Sequence, residues 1–324
     1  MRIALDHEPL VLSSGGLKRY VEELTRALKA EYPADEYFYL PEARNVFERR
    51  WWLYGAARAA AEARADVFHG TNFAIPYITR RATVLTIHDL SPWRNREWHS
   101  SPGANRIRRR TPLMMLPASH MITPSEAVRI EAMRRFRIEP GRITAIPLAA
   151  SSHFRPVPQL SEPYFLFVGT LEPRKGIAKL LEAWRATDRR IPLRIAGRRR
   201  EDFPPLEAEP NLHVLGEVPD AALPALYTNA TAVIYPSEYE GFGLPVLEAM
   251  QCGANVITSC DPALVELGND ATRKFKTVHD LRELLCGADP WSAQYREAAQ
   301  ARAALYTWRK TAQLTHAIYE AVCR

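Results

Sequence analysis

The stretch YPSEYEGFGLPVLEAM, from Tyr235 to Met250, carries the strongest structural signal in the chain. An apolar run ends at Tyr235, and a loop with Glu240 and Gly243 follows. Pro245 then stands where proline is well tolerated, in the first turn of a helix. This order of strand, loop and helix is typical of a parallel α/β unit. The helix N-terminus would present free backbone N–H groups and a partial positive charge, which can hold a pyrophosphate.

Two carboxylates flank the start of this predicted helix. Glu240 precedes it, and Glu248 follows eight residues later. They can accept hydrogen bonds from hydroxyls on two parts of one bound molecule, or they can be ordinary solvated glutamates. The glycines around Phe242 also resemble part of a dinucleotide-binding fingerprint. Val246 stands where that fingerprint needs its third glycine, which argues against NAD binding.

The rest of the chain alternates short apolar strands with amphipathic helices, a pattern that predicts parallel sheets covered on both faces. The predicted strands are 2–6, 37–40, 66–69, 83–87, 120–123 and 143–146, then 164–168, 193–196, 213–215, 232–235 and 255–258. Four prolines between positions 147 and 163 interrupt the pattern and predict an interdomain linker. We therefore expect an N-terminal acceptor-side domain at 1–155 and a donor domain at 156–305, with a last helix at 306–324 crossing back to the N-terminal domain.

Composition narrows the class of protein. The chain has 324 residues and a net charge of +6, which suits an anionic ligand or an anionic membrane surface. Nucleic-acid binding is a competing interpretation, but the basic residues are dispersed and no nucleic-acid motif is present. The cysteines at 252, 260, 286 and 323 form no CxxC pair, which favours reduced thiols. No apolar window is long enough to span a bilayer, and none at the N-terminus suits a signal peptide. We expect a cytoplasmic protein, in contact with membranes only at their surface.

The motifs together resemble a known family. Glu240 to Gly253, EGFGLPVLEAMQCG, has the Glu-x7-Glu spacing of retaining family 4 glycosyltransferases with the GT-B fold. Phe167 to Gly176, FVGTLEPRKG, is similar to the donor-phosphate segment of that family. Ser13 to Leu17, SSGGL, resembles its N-terminal glycine loop, and His120 to Glu126 resembles the helix entry that closes its first domain. The resemblance implies an α/β fold of two doubly wound, Rossmann-like domains that face an interdomain cleft.

The resemblance also implies a donor site. It assigns Arg174 and Lys175 to the donor phosphates, Glu240 to hydroxyls of the donor sugar and Glu248 to the ribose. Two adjacent cations suit a diphosphate whose negative charge grows as the sugar departs. The complete set of predicted donor-binding residues is Gly15, Gly16, Gly169, Arg174, Lys175, Glu240, Gly241, Phe242, Gly243, Leu244, Val246 and Glu248.

His88 completes the predicted catalytic group, which consists of His88, Arg174, Lys175 and Glu240. It follows a predicted strand, and the family places a histidine here beside the donor sugar and the reaction centre. A histidine at a strand end can also be purely structural. Asp89 could orient the imidazole or bind an acceptor hydroxyl. His69 and Trp93 are weaker acceptor-site candidates.

The expected reaction is a same-face transfer that retains the anomeric configuration, in which the departing phosphate helps to deprotonate the acceptor. Because no Asp-x-Asp pair occurs, we expect no metal and no cofactor, with Arg174, Lys175 and helix N-termini neutralising the diphosphate. The segment from Thr86 to Pro92 looks like bacterial mannosyltransferases of cell-surface polysaccharide assembly, so GDP-mannose is the first expected donor. The alternatives are a UDP- or dTDP-sugar donor and a non-catalytic GT-B scaffold that binds a nucleotide or a partner.

The acceptor is expected to be a glycan or a lipid-linked sugar. Aromatic and basic residues cluster at Trp93, Trp98, Arg106 and 108–110, and again at 49–52. They could approach an anionic membrane or form ordinary solvated helix faces. The chain departs from the family pattern at Leu148-Ala-Ala150, at Asn255-Val256 and in the segment 261–277, which looks short and irregular.

Overall fold

The structure is a computed structural model that describes residues 1–6, 10, 15–40, 51–99, 102–159, 162–287 and 293–324. Its internal contacts divide the chain into two units. The first consists of Met1–Leu148 together with Thr307–Arg324, and the second is Ala149–Tyr306. Each unit contains a parallel sheet of six strands within the described residues. The predicted motifs at Ser13, Ser14, Arg49 and Arg50 lie outside the described residues.

The first unit is built on the strand order β2-β1-β3-β4-β5-β6. Its strands are β1 Arg2–Leu5, β2 Glu36–Tyr39, β3 Val67–Gly70, β4 Ala82–Thr86, β5 His120–Thr123 and β6 Ile143–Ala145. Its helices are α1 Gly16–Glu31, α2 Ala56–Glu62, α3 Ser91–Arg94, α4 Pro102–Met115 and α5 Glu126–Phe136. Strands β1, β3 and β4 are almost wholly buried, as expected for a parallel sheet with helices on both faces.

The first long helix shows why this unit folds as it does. Tyr20, Val21, Leu24 and Leu28 recur at helical spacing and are all buried. Gly15 precedes the helix with a φ of 71°, and a Cβ atom there would meet no neighbouring atom within 4 Å. The glycine is therefore needed for its backbone conformation and not for lack of space.

The second unit has the strand order β12-β11-β10-β7-β8-β9. Its strands are β7 Phe165–Val168, β8 Leu193–Ala196, β9 Leu212–Gly216, β10 Ala232–Tyr235, β11 Val256–Ser259 and β12 Arg273–Phe275. Its helices are α6 Ile177–Arg185, α7 Leu223–Asn229, α8 Leu244–Gln251, α9 Pro262–Gly268, α10 Val278–Cys286 and α11 Ala293–Ala303. All pairings in the sheet are parallel.

One prediction about a connecting segment was wrong. The segment 261–277, expected to be irregular, contains α9 and the edge strand β12. Its strand was missed because only Phe275 of its three residues is fully buried, so no apolar run marks it. The predicted linker at 147–163 contains the boundary between the two units, which lies after Leu148. Its Phe154 is fully buried, and the Gln251 side chain donates to the Phe154 carbonyl at 2.7 Å. Within the second unit, this part of the chain is a packed segment.

The last helix, α12 Trp308–Cys323, belongs to the first unit and packs against α1. Its buried face includes Ala312, Thr315 and Tyr319. Thr311 also donates a hydrogen bond to the carbonyl of Pro147 at 2.7 Å. No helix within the described residues is both long enough and apolar enough to cross a membrane.

Candidate functional site

The second sheet reverses its direction of growth between β7 and β10. From β7 the chain adds β8 and β9 on one side, and it then returns to place β10 on the other side. The carboxyl ends of the two strands at such a reversal leave a crevice in which α/β proteins bind ligands. The loops after β7 and β10 carry Arg174, Lys175 and Glu240, three of the predicted catalytic residues.

Lys175 and Glu240 form a buried ion pair across these two loops. The Lys175 Nζ atom lies 2.6 Å from Oε1 of Glu240 and 2.7 Å from the hydroxyl oxygen of Tyr235. Each of the two charged side chains is less than a tenth exposed. Burial of this kind costs free energy unless each charge keeps hydrogen-bonding partners, and these two provide them for each other.

Arg174 joins the same cluster from the other side. Its Nη1 atom donates to the carbonyl of Tyr239 at 2.9 Å and lies 3.3 Å from Oε2 of Glu240. Its Nε atom lies 2.7 Å from a carboxylate oxygen of Glu172, which also accepts from Arg200 at 2.9 Å. Arg200 also forms an ion pair with Asp202, so three cations meet three carboxylates and their charges balance.

The electrostatics of the cluster favour its charged form. Burial alone would raise the pKa of Glu240, but the charges of Lys175 and Arg174 outweigh burial and hold that pKa at about 2. Burial and the neighbouring Arg174 lower the pKa of Lys175, whereas Glu240 and Glu172 oppose that shift. The glutamate is therefore ionised throughout the physiological range.

Gly176 brings the β7 loop against the β10 loop. Its φ is +66°, and a Cβ atom at this position would lie 2.1 Å from the carbonyl oxygen of Pro236. The backbone of Glu238 donates to the carbonyl of Arg174 at 2.8 Å, which ties the same two loops together. Only glycine combines this backbone conformation with so close an approach.

Glu248 has a separate environment on α8. It is 2% exposed, and the Tyr227 hydroxyl donates to its Oε2 atom at 3.2 Å. That Glu240 and Glu248 serve different parts of one ligand stays a prediction.

The start of α8 differs from the predicted phosphate cradle in one respect. The N–H of Val246 already donates to the carbonyl of Gly243 at 2.9 Å, so it is not open for a ligand. The Gly169 N–H is similarly engaged by the carbonyl of Ala196. Phe242 is buried with its ring against that of Tyr306, with 5.9 Å between centroids.

In the first unit, His88 follows β4 and is held in one tautomer. Its Nε2 atom lies 2.7 Å from the carbonyl oxygen of Thr71, and a carbonyl can only accept. Burial lowers the pKa of His88, so the neutral ring carries its proton on Nε2 and its lone pair on Nδ1. The rings of Tyr20 and Phe73 lie edge-on to the imidazole at centroid distances of 4.8 and 6.1 Å.

Asp89 and Trp93 have local structural partners. One Asp89 oxygen accepts from the backbone N–H of Ser91 at 2.9 Å and from its hydroxyl at 2.7 Å. The Trp93 ring lies near Phe73 and edge-on to Phe136. Asp89 thus shapes the turn into α3, and its bonds do not include the imidazole.

His69 occupies the core of the first unit. It is fully buried, with Nε2 at 2.7 Å from the Thr86 hydroxyl oxygen and Nδ1 at 2.6 Å from that of Tyr319. Burial, together with His88, lowers its pKa to about 3. The suggestion that His69 contacts an acceptor therefore conflicts with its position, because both ring nitrogens are used and no surface is exposed.

Several residues of the site escaped sequence reasoning. Tyr235 contacts Lys175, and Tyr227 contacts Glu248. Glu172 forms ion pairs with both Arg174 and Arg200. Asp261, after β11, accepts from the backbone of Glu240 and caps α9. The available signal was position, because Tyr235 and Asp261 both stand where a strand ends. Within the described residues, no three His, Cys, Asp or Glu side chains are grouped as a metal site would require.

Comparison with known proteins agrees with this geometry. The family model described as Glycosyltransferase Family 4 matches residues 4–150, and that described as Glycosyl transferases group 1 matches residues 150–302. O-antigen chain mannosyltransferase B of Escherichia coli is 36% identical over 238 residues, which are 66% of this chain and 62% of that protein. The match thus spans less than two thirds of that relative.

Solved structures show the same fold. Sucrose-phosphate synthase from Thermosynechococcus elongatus has a TM-score of 0.78 at 19% identity, with 99% of both chains covered. Anabaena HepE in complex with UDP-glucose has a TM-score of 0.76 at 17% identity, covering 99% of this chain and 100% of that one. Two Rossmann-like parallel sheets and both family models lead to one assignment: the chain belongs to the family 4 glycosyltransferases with the GT-B fold.

Proposed function

We propose that the chain is a retaining hexosyltransferase that moves a sugar from a nucleotide diphosphate to a hydroxyl of a glycan or a lipid-linked acceptor. The observation that carries the proposal is the buried cluster of Arg174, Lys175 and Glu240 at the switch point of the second sheet. Two cations and one ionised carboxylate lie there, and such a switch point is where α/β sheets bind ligands.

In this proposal Arg174 and Lys175 bind the donor diphosphate. Their guanidinium and ammonium N–H groups suit diphosphate oxygens, within a group in which three cations balance three carboxylates. Guanidinium and ammonium groups can neutralise a leaving diphosphate without a metal ion. The positive end of α8 adds to this field.

The carboxylates bind the uncharged parts of the donor. Glu240 is ionised and lies at the loop after β10, so it can accept hydrogen bonds from sugar hydroxyls. Glu248, ordered by Tyr227, is proposed to bind the ribose. His88, whose Nδ1 atom carries the lone pair, is proposed as an acceptor of a hydrogen bond from a sugar hydroxyl near the reacting carbon. Gly15 and Gly16, at the start of α1, are proposed to allow close approach of the backbone to the donor.

The proposed reaction is a same-face substitution. The bond between the anomeric carbon and the diphosphate oxygen breaks, and its electron pair goes to the diphosphate. The acceptor oxygen forms its bond to the anomeric carbon on the face that the diphosphate leaves, and the acceptor proton passes to a diphosphate oxygen. The cations of the cluster stabilise the negative charge on the leaving group as it develops.

The proposed donor is GDP-mannose, because a similar Escherichia coli protein is a mannosyltransferase of O-antigen chains. A UDP-sugar is the alternative donor, because the structurally similar HepE binds UDP-glucose. The proposed acceptor is a hydroxyl of a growing glycan or of a lipid-linked sugar. Asp89 and Trp93 are the proposed acceptor-side residues.

We further propose that the first unit touches an anionic membrane surface through α4. Leu113 is 56% exposed on this helix, and Leu116, directly after it, is 72% exposed. Arg109 is exposed one turn before Leu113, whereas Arg108 is engaged by the carbonyls of Pro92 and His99. Exposed leucines beside an exposed cation suit the interface of an anionic bilayer.

Direct sugar transfer tests the proposed function. The purified chain is incubated with GDP-mannose, UDP-glucose or dTDP-glucose and a lipid-linked glycan acceptor, in the presence of EDTA. We expect product from one donor family, with an anomeric proton coupling in NMR that matches the donor configuration. Lys175→Met should abolish transfer, while Lys276→Met, an exposed lysine of the same unit, should not change it.

Thermal shifts with the free nucleotides separate the alternatives. Stabilisation by one nucleotide diphosphate without turnover of any donor would favour the non-catalytic scaffold. Neither stabilisation nor transfer would refute the proposed donor site. Inversion of the anomeric configuration would refute the same-face reaction but leave the donor site intact.

A further inference from the structure

We propose that Tyr235 is a positioning residue for the transfer reaction: with Glu240 it orients the ammonium of Lys175 so that its remaining N–H group points to the donor diphosphate. The inference rests on the proposed function, because it explains how Lys175 would serve that function. Tyr235 itself is not proposed to contact the reacting atoms.

The first step of the argument is a count of donors on one nitrogen. An ammonium group has three N–H donors in tetrahedral geometry. The Lys175 Nζ atom uses one toward Glu240 Oε1 at 2.6 Å and one toward the Tyr235 hydroxyl at 2.7 Å. Two fixed acceptors determine the direction of the third donor, whereas one acceptor would let the ammonium rotate.

The second step is the rigidity of the tyrosine. Tyr235 is the last residue of β10 and is fully buried. Its ring stacks on Phe167 of the neighbouring strand β7, with 6.0 Å between centroids and 14° between ring planes. Ring and hydroxyl are thus both anchored.

The third step is that the hydroxyl and the carboxylate hold the same ammonium group. Lys175 donates to the Tyr235 hydroxyl at 2.7 Å and to Oε1 of Glu240 at 2.6 Å. Tyr235 therefore fixes the direction of the cation beside the carboxylate, which Phe at this position could not do.

The Tyr235 hydroxyl affects the protonation of Lys175 as well as the direction of its N–H groups. The charged groups that face this ammonium are Arg174, Glu240 and Glu172, and burial with Arg174 lowers its pKa. Loss of a hydrogen-bond acceptor removes one favourable interaction of the charged form. The pKa of Lys175 should then fall further, so that the cation is lost at a lower pH.

Tyr235→Phe tests the inference, with Tyr164→Phe as its matched control. Tyr164 is another buried tyrosine of the second unit, but its hydroxyl donates to the carbonyl of Leu226. Initial rates are measured from pH 6 to 10 with the donor that the wild type uses. For Tyr235→Phe we expect a kcat about tenfold lower, a donor KM raised about two- to threefold, and an alkaline limb displaced to lower pH. Tyr164→Phe should keep the wild-type kcat and pH profile.

The other outcomes each decide the question. Wild-type kcat and an unmoved alkaline limb in Tyr235→Phe would overturn the inference, and so would equal losses in both variants, which would indicate a general packing effect. If Tyr235→Phe fails to fold, Phe167→Leu keeps the hydroxyl but loosens the ring. It should then show the same changes at smaller size, and an unchanged profile would overturn the inference.

Binding separates this inference from the proposed function. If the wild type transfers no sugar, the proposed function fails, and calorimetry with GDP and UDP still measures the diphosphate contact. Weaker binding by Tyr235→Phe than by Tyr164→Phe would support the orienting role in a binding protein. Equal affinities, or no binding of either nucleotide by the wild type, would overturn it.

Discussion

The Tyr319 hydroxyl and Nδ1 of His69 lie 2.6 Å apart, although 250 positions separate the two residues in the chain. This hydrogen bond connects the C-terminal helix to the end of β3 in the core of the first unit. The other His69 nitrogen contacts Thr86, which also bonds the Tyr20 hydroxyl at 3.1 Å. Tyr20 in turn lies edge-on to His88, so the last helix supports the surroundings of a proposed site residue.

The first prediction concerns this buried network. Tyr319→Phe should lower the free energy of unfolding by about 1–3 kcal/mol, because it leaves a buried imidazole nitrogen without its partner. Urea unfolding followed by circular dichroism measures the change. Tyr54→Phe is the control, since Tyr54 is 63% exposed and its change should stay within about 0.5 kcal/mol. Equal effects of both substitutions would contradict the network.

The same histidine predicts an acid dependence. Its pKa is about 3 in the folded chain and ordinarily near 6.5, so below pH 6.5 the unfolded chain binds a proton that the folded chain rejects. Stability should therefore fall as the pH decreases from 6.5 toward 3. His69→Gln should show a shallower slope over this interval, and an unchanged slope would show that His69 is not the group responsible.

The second prediction concerns the coupling of Lys175 with Glu240. Lys175→Met should cost about 3–5 kcal/mol of stability, because it removes the nearest partner of a buried carboxylate. Glu240→Gln should relieve much of this loss in the double variant, with a coupling of about 1–3 kcal/mol in a double-mutant cycle. These values apply above pH 4.5, since the pKa of Glu240 is depressed to about 2.

A surface pair provides the control for this cycle. Lys18 and Glu22 are 3.9 Å apart at helical spacing, and both side chains are nearly half exposed. The same substitutions at these two positions should show a coupling of roughly 0–0.5 kcal/mol. A coupling at the buried pair no larger than at the surface pair would mean that burial does not strengthen the interaction.

The third prediction compares two glycines with nearly equal positive φ values. Gly176 and Gly216 have φ values of +66° and +67°. Alanine at Gly216 meets no atom within 4 Å, so it should cost only the left-handed strain of about 1–2 kcal/mol. Alanine at Gly176 would meet the Pro236 carbonyl at 2.1 Å and should cost at least about 2 kcal/mol more. Thermal unfolding of both variants gives the difference, and equal losses would rule out a tight contact between the loops.

The fourth prediction is that Asp261 and Asp280 change the stability of the chain with pH in opposite directions. Burial and the charge of Glu240 raise the pKa of Asp261 from 3.8 to about 7. Stability should therefore fall as the pH rises from about 4 to 7, because the folded chain holds a proton that the unfolded chain releases. Asp261→Asn, which can still cap α9, should remove this fall and be more stable than the wild type above pH 7.

Asp280 provides the contrasting case. Its carboxylate accepts from the backbone of Lys276 and Thr277, and these bonds lower its pKa. Asp280→Asn should therefore be less stable than the wild type at neutral pH, and the difference should shrink in acid. If both asparagine variants changed stability in the same direction above pH 7, the assigned environment of Asp261 would be wrong.

Much of the fold could be predicted because local sequence patterns mark most of the strands and helices. Runs such as Phe165–Val168 and Ala232–Tyr235 are fully buried, and their apolar composition alone marks them. β12 was missed because an edge strand of three residues needs no apolar run. Sequence similarity to a family also allowed Arg174, Lys175 and Glu240 to be predicted as one site, and the structure brings these three together.

The remaining features depend on contacts between distant segments. From the sequence, His69 could bind a ligand because it lies at a strand end. In the structure it is buried, and its Nδ1 atom hydrogen-bonds to Tyr319 of the C-terminal helix. The sequence suggested that the Val246 N–H would be free for a ligand, but it donates to the Gly243 carbonyl in the first turn of α8. Tyr235 stands at a strand end, but that position alone did not predict its role, since its contacts form only when β7 and β10 become neighbours.

The local sequence was enough to define the order of strands and helices, the loops that bear the charged residues and the family to which the chain belongs. Backbone preferences and hydrophobic periodicity act over a few residues, so they can be recognised without the fold. Only the tertiary structure decided which charges became buried partners and which histidine lost its exposure. Those outcomes depend on desolvation and on distances between Lys175, Tyr235 and Glu240, which packing sets and no local pattern encodes.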